Sequence, residues 1–166
     1  MYKPRTKNHK RDPVRRWALP ERVFFACGAC HVLAHAFLKA YPESGFSAVW
    51  IRPTQGYTGN HIVVVREELA FDYHGYSNWR VLLDHCRRRA QQRWPGWEGT
   101  LVPLPEDVLI SEAKSRTYEG LWLMEPQEFL FDAMPRAQIY LRRFPAPPSL
   151  AMYRRAAEQG NEADER

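Results

Sequence analysis

An apolar segment with helical spacing, followed directly by β-rich segments, is the feature of this sequence that most limits its fold. Residues 30–41 (CHVLAHAFLKAY) have the three- and four-residue spacing of an amphipathic helix. Its apolar face consists of Cys30, Leu33, Ala34, Phe37 and Tyr41. Gly28 precedes the helix as an N-cap and Pro42 ends it. The sequence therefore predicts a core helix with Cys30 at its start, turned toward the core.

Two β-rich segments follow this helix and favour a small antiparallel sheet. Residues 46–52 (FSAVWIR) and 61–66 (HIVVVR) are rich in β-branched and aromatic residues, and the turn-forming sequence PTQGYTGN separates them. A third segment, 69–73 (LAFDY), comes directly after Glu67 and Glu68. A core helix next to such a sheet predicts an α+β domain.

The register of the second hairpin can be derived from its turn. If Glu67 and Glu68 form a tight turn, Arg66 pairs with Leu69. Asp72 then lies diagonal to His61 on the same face of the sheet and within reach of its side chain.

The rest of the chain predicts further short elements. Ser77 is expected to cap an amphipathic helix that runs to about Trp94. Its solvated side carries Arg87, Arg88, Arg89 and Arg93. The other predicted elements are a strand or extended lead-in at 22–26, a strand at 100–103, helices after Glu106 and Pro126, and a strand over 137–142.

The composition is that of one globular domain. The chain has 166 residues, of which 45% are hydrophobic and 26% charged, and this excludes fibrous, collagenous and fully disordered classes. We expect a flexible basic arm at 1–16, a single α+β domain at 17–145 and a polar tail at 146–166. No stretch approaches 18 uninterrupted apolar residues and no apolar signal region follows the basic N-terminus, so the sequence predicts a cytoplasmic protein without membrane contact.

The positive charge is concentrated near the N-terminus. The formal net charge is +5, and residues 1–22 contain eight Lys or Arg against only Asp12 and Glu21. This segment permits weak contact with nucleic acid or another acidic surface, and a non-catalytic nucleic-acid-binding or adaptor domain is the alternative function. No helix-turn-helix, RNA-binding or zinc-finger signature supports it.

The motif CGACH at 27–31 allows three kinds of chemistry. Cys-x-x-Cys-His is a c-type haem attachment sequence, but haem attachment takes place outside the cytoplasm. Thiolates and imidazoles also bind zinc, but the only second pair, His31 and His35, lies on the same helix as Cys30, which is an awkward geometry for four ligands. Catalysis by a cysteine nucleophile is the interpretation that the rest of the chain supports, and it requires no cofactor or metal.

Cysteine catalysis needs an activated thiol, a base, a group that orients the base and donors for an oxyanion. A helix N-terminus stabilises a thiolate and offers unpaired amides, which favours Cys30 as nucleophile and its own amide as a donor. His61 begins a strand beside a turn and is the predicted base. Asp72 is the predicted orienting group, and His74, opposite His61 in the same register, is the alternative.

The sequence CGAC followed by a ring-bearing residue resembles the papain-type signature C-G-[SA]-C-[WY], with Cys30 at the nucleophile position. The order of cysteine on a helix, histidine on a strand and aspartate on the next is similar to that of compact papain-like branches: NlpC-type peptidases, transglutaminase-like proteins and arylamine acetyltransferases. The resemblance covers about 22–76. His31 replaces the usual aromatic residue, and Phe24 stands where papain has its oxyanion glutamine.

This resemblance implies a papain-like fold, with the nucleophile-bearing helix packed on a small antiparallel sheet and further helices toward the C-terminus. It implies a cysteine-dependent hydrolase or acyl transferase that attacks an amide, isopeptide or thioester bond of a peptide or other amide-containing substrate. Peptidase, amidase, deamidase and transglutaminase-like reactions all use this arrangement, in which an acyl group passes through a thioester to water or an amine.

The remaining candidate residues have less specific roles. Three roles are open for Cys27. It is a packing residue, one half of a redox-sensitive pair with Cys30, or the nucleophile itself if the helix starts earlier than Cys30. Cys86 is interpreted as a small buried hydrophobe. His31 and His35 are expected to face solvent or substrate. The residues expected to line the substrate site are Trp50, Tyr57, Gly59, Asn60 and Tyr76.

Overall fold

The computed structural model of the protein describes residues 11–148. The helices are α1 (Pro13–Trp17), α2 (Glu21–Phe24), α3 (Cys30–Ala40), α4 (Trp79–Arg93), α5 (Glu112–Ser115) and α6 (Ala133–Leu141). The strands are β1 (Ser47–Pro53), β2 (His61–Arg66), β3 (Leu69–Asp72), β4 (Gly75–Asn78) and β5 (Gly99–Leu104). A π-helical turn spans Phe25–Ala29, and 3₁₀ turns span Pro42–Ser44, Glu106–Ile110 and Pro126–Glu128. The fold is α+β, as the sequence predicts.

The five strands form one antiparallel sheet in the order β4-β3-β2-β1-β5. Arg66 pairs with Leu69 across the tight turn, which confirms the predicted register of this hairpin. The predicted strand at 100–103 is confirmed as β5, which pairs with β1. Strand β4 was not predicted, because its short sequence GYSN has almost no β-branched or apolar content.

Both faces of the sheet are covered. Alternating residues of β1 and β2 enter two different apolar clusters, as the two-residue period of a strand requires. The larger cluster contains α3 and α6 together with Trp50, Ile62 and Val64. The smaller one contains Val49, Ile51 and Val63 and packs against α4. Helix α3 is thus the buried centre of the fold, which holds Cys30 in a fixed position beside the sheet.

The predicted flexible segment 1–16 is wrong for residues 13–16. They belong to α1, whose first turn is capped by the Asp12 carboxylate, an acceptor for the backbone N–H groups of Val14 and Arg15. Arg16 is buried, with 8% of its surface exposed. The remainder of the predicted arm, 1–10, lies outside the described residues.

A long-range ion pair anchors the chain after α1. The guanidinium of Arg136 lies 2.8 Å from Glu21 Oε2 and donates hydrogen bonds to the carbonyls of Trp17 and Leu19. It also stacks on Phe24, 4.0 Å from the ring centroid. These partners are more than 110 positions apart in the sequence, so no local pattern indicates them.

Several predicted element types are wrong. Residues 22–26 are helical, and this conformation places the side chains of Phe24 and Phe25 in the core. The predicted strand over 137–142 is largely helix α6, which Asp132 caps and whose first turn accommodates Pro135.

Two other boundaries differ from the predictions. The predicted helix after Pro126 is only a 3₁₀ turn. Helix α4 is capped by Asn78 rather than Ser77, because the Asn78 side chain accepts the backbone N–H of Val81. Most of the predicted polar tail, from 149 to 166, lies outside the described residues.

The stretch Glu21–Ala40, which joins α2 and α3 across the kinked turn, is long and apolar enough by length and composition alone to cross a membrane. However, 72% of its most apolar window is buried inside the protein. Most of this stretch therefore belongs to the core of the protein.

Candidate active site

Cys30 follows an irregular turn at the start of α3. Gly28 has a left-handed φ of 92°, which glycine adopts without steric cost, and Cys27 has φ −101° and ψ 42°. Helix α3 begins directly after this kink, with Ala29 rather than the predicted Gly28 as its N-cap. Cys30 therefore lies at the start of α3, as the sequence predicted, and side chains also act on its thiol.

His61 and Asp72 form the predicted pair. The Nε2 atom of His61 donates to Oδ2 of Asp72 over 2.9 Å, and only 13% of the His61 side chain and 1% of the Asp72 side chain are exposed. The contact follows from the Arg66–Leu69 register, which places both residues on one face of the sheet. Because Asp72 occupies Nε2, the Nδ1 atom of His61 is the nitrogen available to the thiol.

The Cys30 thiol is hydrogen-bonded to two imidazoles, those of His31 and His61. Burial on its own raises the pKa of the thiol, but the hydrogen bonds and positive charge of the two histidines outweigh it and lower the pKa to about 5. Cys30 is therefore a thiolate at neutral pH, which is the state required of a nucleophile.

The charges of His61 and Asp72 complement this thiolate. Burial on its own lowers the pKa of His61, but the hydrogen bonds with Asp72 and Cys30 raise that pKa well above its ordinary value. Burial likewise raises the pKa of Asp72, but hydrogen bonds from His61 and His74 hold it well below its usual range. The site thus contains three charged groups: the Cys30 thiolate, the His61 imidazolium and the Asp72 carboxylate, with the imidazolium between the other two.

His31 is placed differently from its prediction. It is 1% exposed, and its Nε2 lies 2.9 Å from the carbonyl oxygen of Met124. Because a carbonyl only accepts, Nε2 carries the hydrogen and fixes the ring orientation. His35, one turn further along α3, is 7% exposed and faces Glu106 at 3.4 Å. The expectation that these two histidines face solvent is wrong.

His74 lies on the far side of Asp72. Its backbone N–H donates to Asp72 Oδ1 over 2.7 Å, and its ring Nδ1 lies 3.2 Å from the same oxygen. The structure therefore places Asp72, and not the alternative His74, against His61. His74 helps to hold the carboxylate and remains 37% exposed at its side chain.

Tyr73 and the two other cysteines border the site. The Tyr73 ring packs edge-on against His61 at a centroid distance of 5.3 Å, and burial raises the pKa of its phenol to about 12. Cys27 is 2% exposed. Cys86 on α4 is half-buried, and burial raises the pKa of its thiol although His61 and Asp72 are near enough to act on it electrostatically. Of Cys30 and Cys86, Cys30 has the electrostatic surroundings of a nucleophile, because its thiol pKa is lowered and that of Cys86 is raised.

The residues expected to line a substrate site have mostly structural contacts. Trp50 is 1% exposed, and its Nε1 donates to Asn60 Oδ1 over 2.8 Å, so the expected substrate contact at Trp50 is wrong. The Tyr57 hydroxyl donates to the carbonyl of Pro95, and the Tyr76 hydroxyl to that of Pro145.

The exposed part of this region is the loop between β1 and β2. Gly59 and Asn60 are exposed there, directly before His61. Gly59 has a φ of 112°, and a Cβ at this position would lie 3.4 Å from the Trp94 ring. The hydrogen bond from the buried Trp50 to Asn60 fixes the end of this loop and thereby the start of β2.

No group of three or more His, Cys, Asp or Glu side chains within residues 11–148 is arranged to hold a metal ion.

The chain was compared with known proteins. No protein-family model matches it, and neither a curated protein nor a solved structure matches it.

Two buried residues next to the cysteine turn, Arg16 and His31, were not predicted there from the sequence. Arg16 was assigned to a flexible arm, and His31 to a solvated stripe of the helix. Neither has a local signal, because the contacts of both to Met124 span more than 90 positions of the chain. The only indication was the position of His31 beside Cys30 in CGACH.

Proposed function

We propose that this protein is a cysteine-dependent hydrolase or acyl transferase of the papain-like type, acting on an amide, isopeptide or thioester bond. Cys30 is the nucleophile, His61 the acid and base, and Asp72 the group that orients and charges His61. The observation that carries the proposal is the 2.9 Å contact of His61 with Asp72, together with the hydrogen bonding and charge of His61 that help to lower the pKa of the Cys30 thiol.

The resting state has the thiol proton on His61. The Cys30 thiolate and the His61 imidazolium form an ion pair, and the buried Asp72 carboxylate favours the positive ring. Asp72 also fixes the ring so that Nδ1 faces the sulfur. This arrangement provides a nucleophile and a proton donor together at neutral pH.

Acylation begins when the thiolate attacks the substrate carbonyl carbon. The C–S bond forms, the carbonyl π electrons move to oxygen, and the carbon–nitrogen or carbon–sulfur bond of the leaving group breaks as the intermediate collapses. His61 delivers its proton to the departing amine or thiol. A thioester on Cys30 and a neutral His61 remain.

Deacylation reverses these roles. Neutral His61 takes a proton from water or an acceptor amine, which attacks the thioester carbon. The C–S bond then breaks, and the sulfur leaves as the thiolate beside the newly charged imidazolium. The acid product or transferred amide departs, and the resting ion pair is restored.

The proposal is tested by trapping the acyl-enzyme with an activated ester, p-nitrophenyl acetate, at pH 6 under rapid acid quench. The expected result is one acetyl group per chain, located on Cys30 by peptide mapping. His61→Ala is expected to lower the acylation rate by about 10²–10⁴-fold. Cys30→Ala is expected to abolish labelling.

Cys86→Ala is the matched control, because it removes another half-buried thiol near the site and is expected to retain wild-type labelling of Cys30. Equal slow acetylation of Cys30 and Cys86, or unchanged acylation in His61→Ala, would contradict the proposed roles of Cys30 and His61.

A further inference from the structure

Arg16 is a buried cation next to the cysteine turn. Its Nη2 donates to the carbonyl of Gly28 over 2.9 Å, and its Nη1 lies 3.1 Å from Met124 Sδ. The guanidinium also stacks on Phe129, 4.5 Å from the ring centroid. Only 8% of the residue is exposed, and its buried Nε has no hydrogen-bond partner. Such a position is costly for an arginine unless a negative charge is close.

No carboxylate among residues 11–148 lies within ion-pair distance of Arg16. The contrast with Arg136 is direct, because Arg136 in the same region is paired with Glu21. Burial lowers the pKa of the Arg16 guanidinium, while electrostatic interaction with Cys27 and Cys30 opposes that effect.

Arg16 adds a positive charge to the buried charged groups around Cys30. Asp72 and the Cys30 thiolate are negative, and low-dielectric surroundings disfavour buried negative charge without positive charge close by. The guanidinium comes from a helix that precedes the cysteine turn in the chain, and it donates a hydrogen bond to Gly28 within that turn.

We propose that Arg16 is a positioning residue of the catalytic centre, which stabilises the Cys30 thiolate by its charge and fixes the Cys27–Gly28 turn by its hydrogen bond to Gly28. The proposal rests on the proposed function of Cys30. Because Arg16 lies on α1, the proposal gives this helix a role in the catalytic centre. It also explains why an arginine without a carboxylate partner is buried there.

The test separates the charge of Arg16 from its hydrogen bond. The rate of Cys30 alkylation by iodoacetamide is measured by peptide mass spectrometry from pH 4 to 9, in the wild type, Arg16→Gln and Arg16→Lys. Arg16→Gln keeps a hydrogen-bond donor for Gly28 but loses the charge. The alkylation midpoint, which is the pH at which alkylation of Cys30 reaches half its maximal rate, is expected to rise by about one unit in this variant. At low pH, Cys30 of this variant is then alkylated roughly tenfold more slowly than in the wild type. Arg16→Lys keeps the charge, and its midpoint is expected to stay near that of the wild type.

Arg136→Gln is the matched control, because it weakens the anchoring of the same chain segment without removing a charge beside the thiol. Its midpoint is expected to equal that of the wild type. An unchanged midpoint in Arg16→Gln, or an equal rise in Arg136→Gln, would overturn the inference. Circular dichroism shows whether Arg16→Gln folds. If it does not fold, Arg16→Lys decides instead: an alkylation midpoint raised by a full pH unit in folded Arg16→Lys would overturn the inference.

These outcomes are distinct from failure of the proposed function. If wild-type Cys30 has no acidic midpoint and is not acylated by the ester, the nucleophile itself is misassigned. If Cys30 is acylated and has an acidic midpoint that Arg16→Gln leaves in place, only the role of Arg16 is refuted.

Discussion

The Nε2 atom of His61 lies 2.9 Å from Oδ2 of Asp72, across two strands joined by a two-residue turn. The short connection makes this contact a local property of one hairpin. Cys30, by contrast, reaches the pair from a helix that packs on the sheet. The proposed nucleophile and its proton acceptor are therefore assembled by tertiary packing, while the acceptor and its orienting group are assembled by strand register.

Asp72→Asn is expected to lower the rate of Cys30 acylation by about 10²-fold or more, because an amide cannot stabilise the imidazolium of His61. The alkylation midpoint of Cys30 is expected to rise for the same reason. Acylation by p-nitrophenyl acetate and the pH profile of alkylation measure the two effects. Asp84→Asn on the exposed side of α4 is the control, and an equal loss in both variants would argue against the pairing.

The thiols of Cys30 and Cys86 are expected to differ in their pH dependence. Cys30, with a thiol pKa of about 5, is a thiolate above that pH and loses reactivity as the pH falls through it. Burial raises the pKa of Cys86, so its reaction begins only above the ordinary cysteine value of about 8.5. Selective alkylation of Cys30 is therefore expected between these limits, as measured by peptide mass spectrometry. Reaction of Cys86 at pH 6 at the same rate would disprove this order.

His31→Gln is expected to raise the alkylation midpoint of Cys30, because glutamine can still donate to the Met124 carbonyl but cannot carry a positive charge beside the thiol. The matched variant is His35→Gln, which changes the other buried histidine of α3, one turn away and facing Glu106. We expect the midpoint of His35→Gln to remain that of the wild type. If the alkylation midpoint of His31→Gln equals that of the wild type, His31 does not lower the pKa of the Cys30 thiol.

Gly75→Ala is expected to destabilise the fold by about 3 kcal/mol or more. Gly75 has a φ of 94°, and a Cβ there would lie 2.7 Å from Cε1 of Phe144, a ring packed against Phe71 and Tyr140. Gly56→Ala, with a φ of 88° and no atom within 4 Å of the added Cβ, is expected to cost only about 1 kcal/mol.

Chemical denaturation of both glycine variants measures these free energies of unfolding. The comparison isolates the steric overlap with Phe144, since the backbone strain is similar at the two positions. Equal losses would show that the ring of Phe144 moves aside without cost.

The elements with strong local patterns were predicted well. Helix α3 begins at Cys30 as predicted and ends at Ala40, just before Pro42, because its apolar spacing and the proline act locally. Strand β2 and the Arg66–Leu69 register were predicted for the same reason. The weakly patterned segments failed: helix α6 carries β-favouring residues, and its conformation depends on the Asp132 cap and on packing against α3.

The sequence by itself determined the helix that carries Cys30 and the hairpin that joins His61 to Asp72, because periodicity, turn length and strand register act over a few residues. Only the tertiary structure decided that His31 faces the thiol and that Arg16 lies against the cysteine turn. Both depend on a chain segment around Met124 that is distant in sequence. A buried charge is acceptable only where folding brings its counter-charge to it, and no local pattern contains that information.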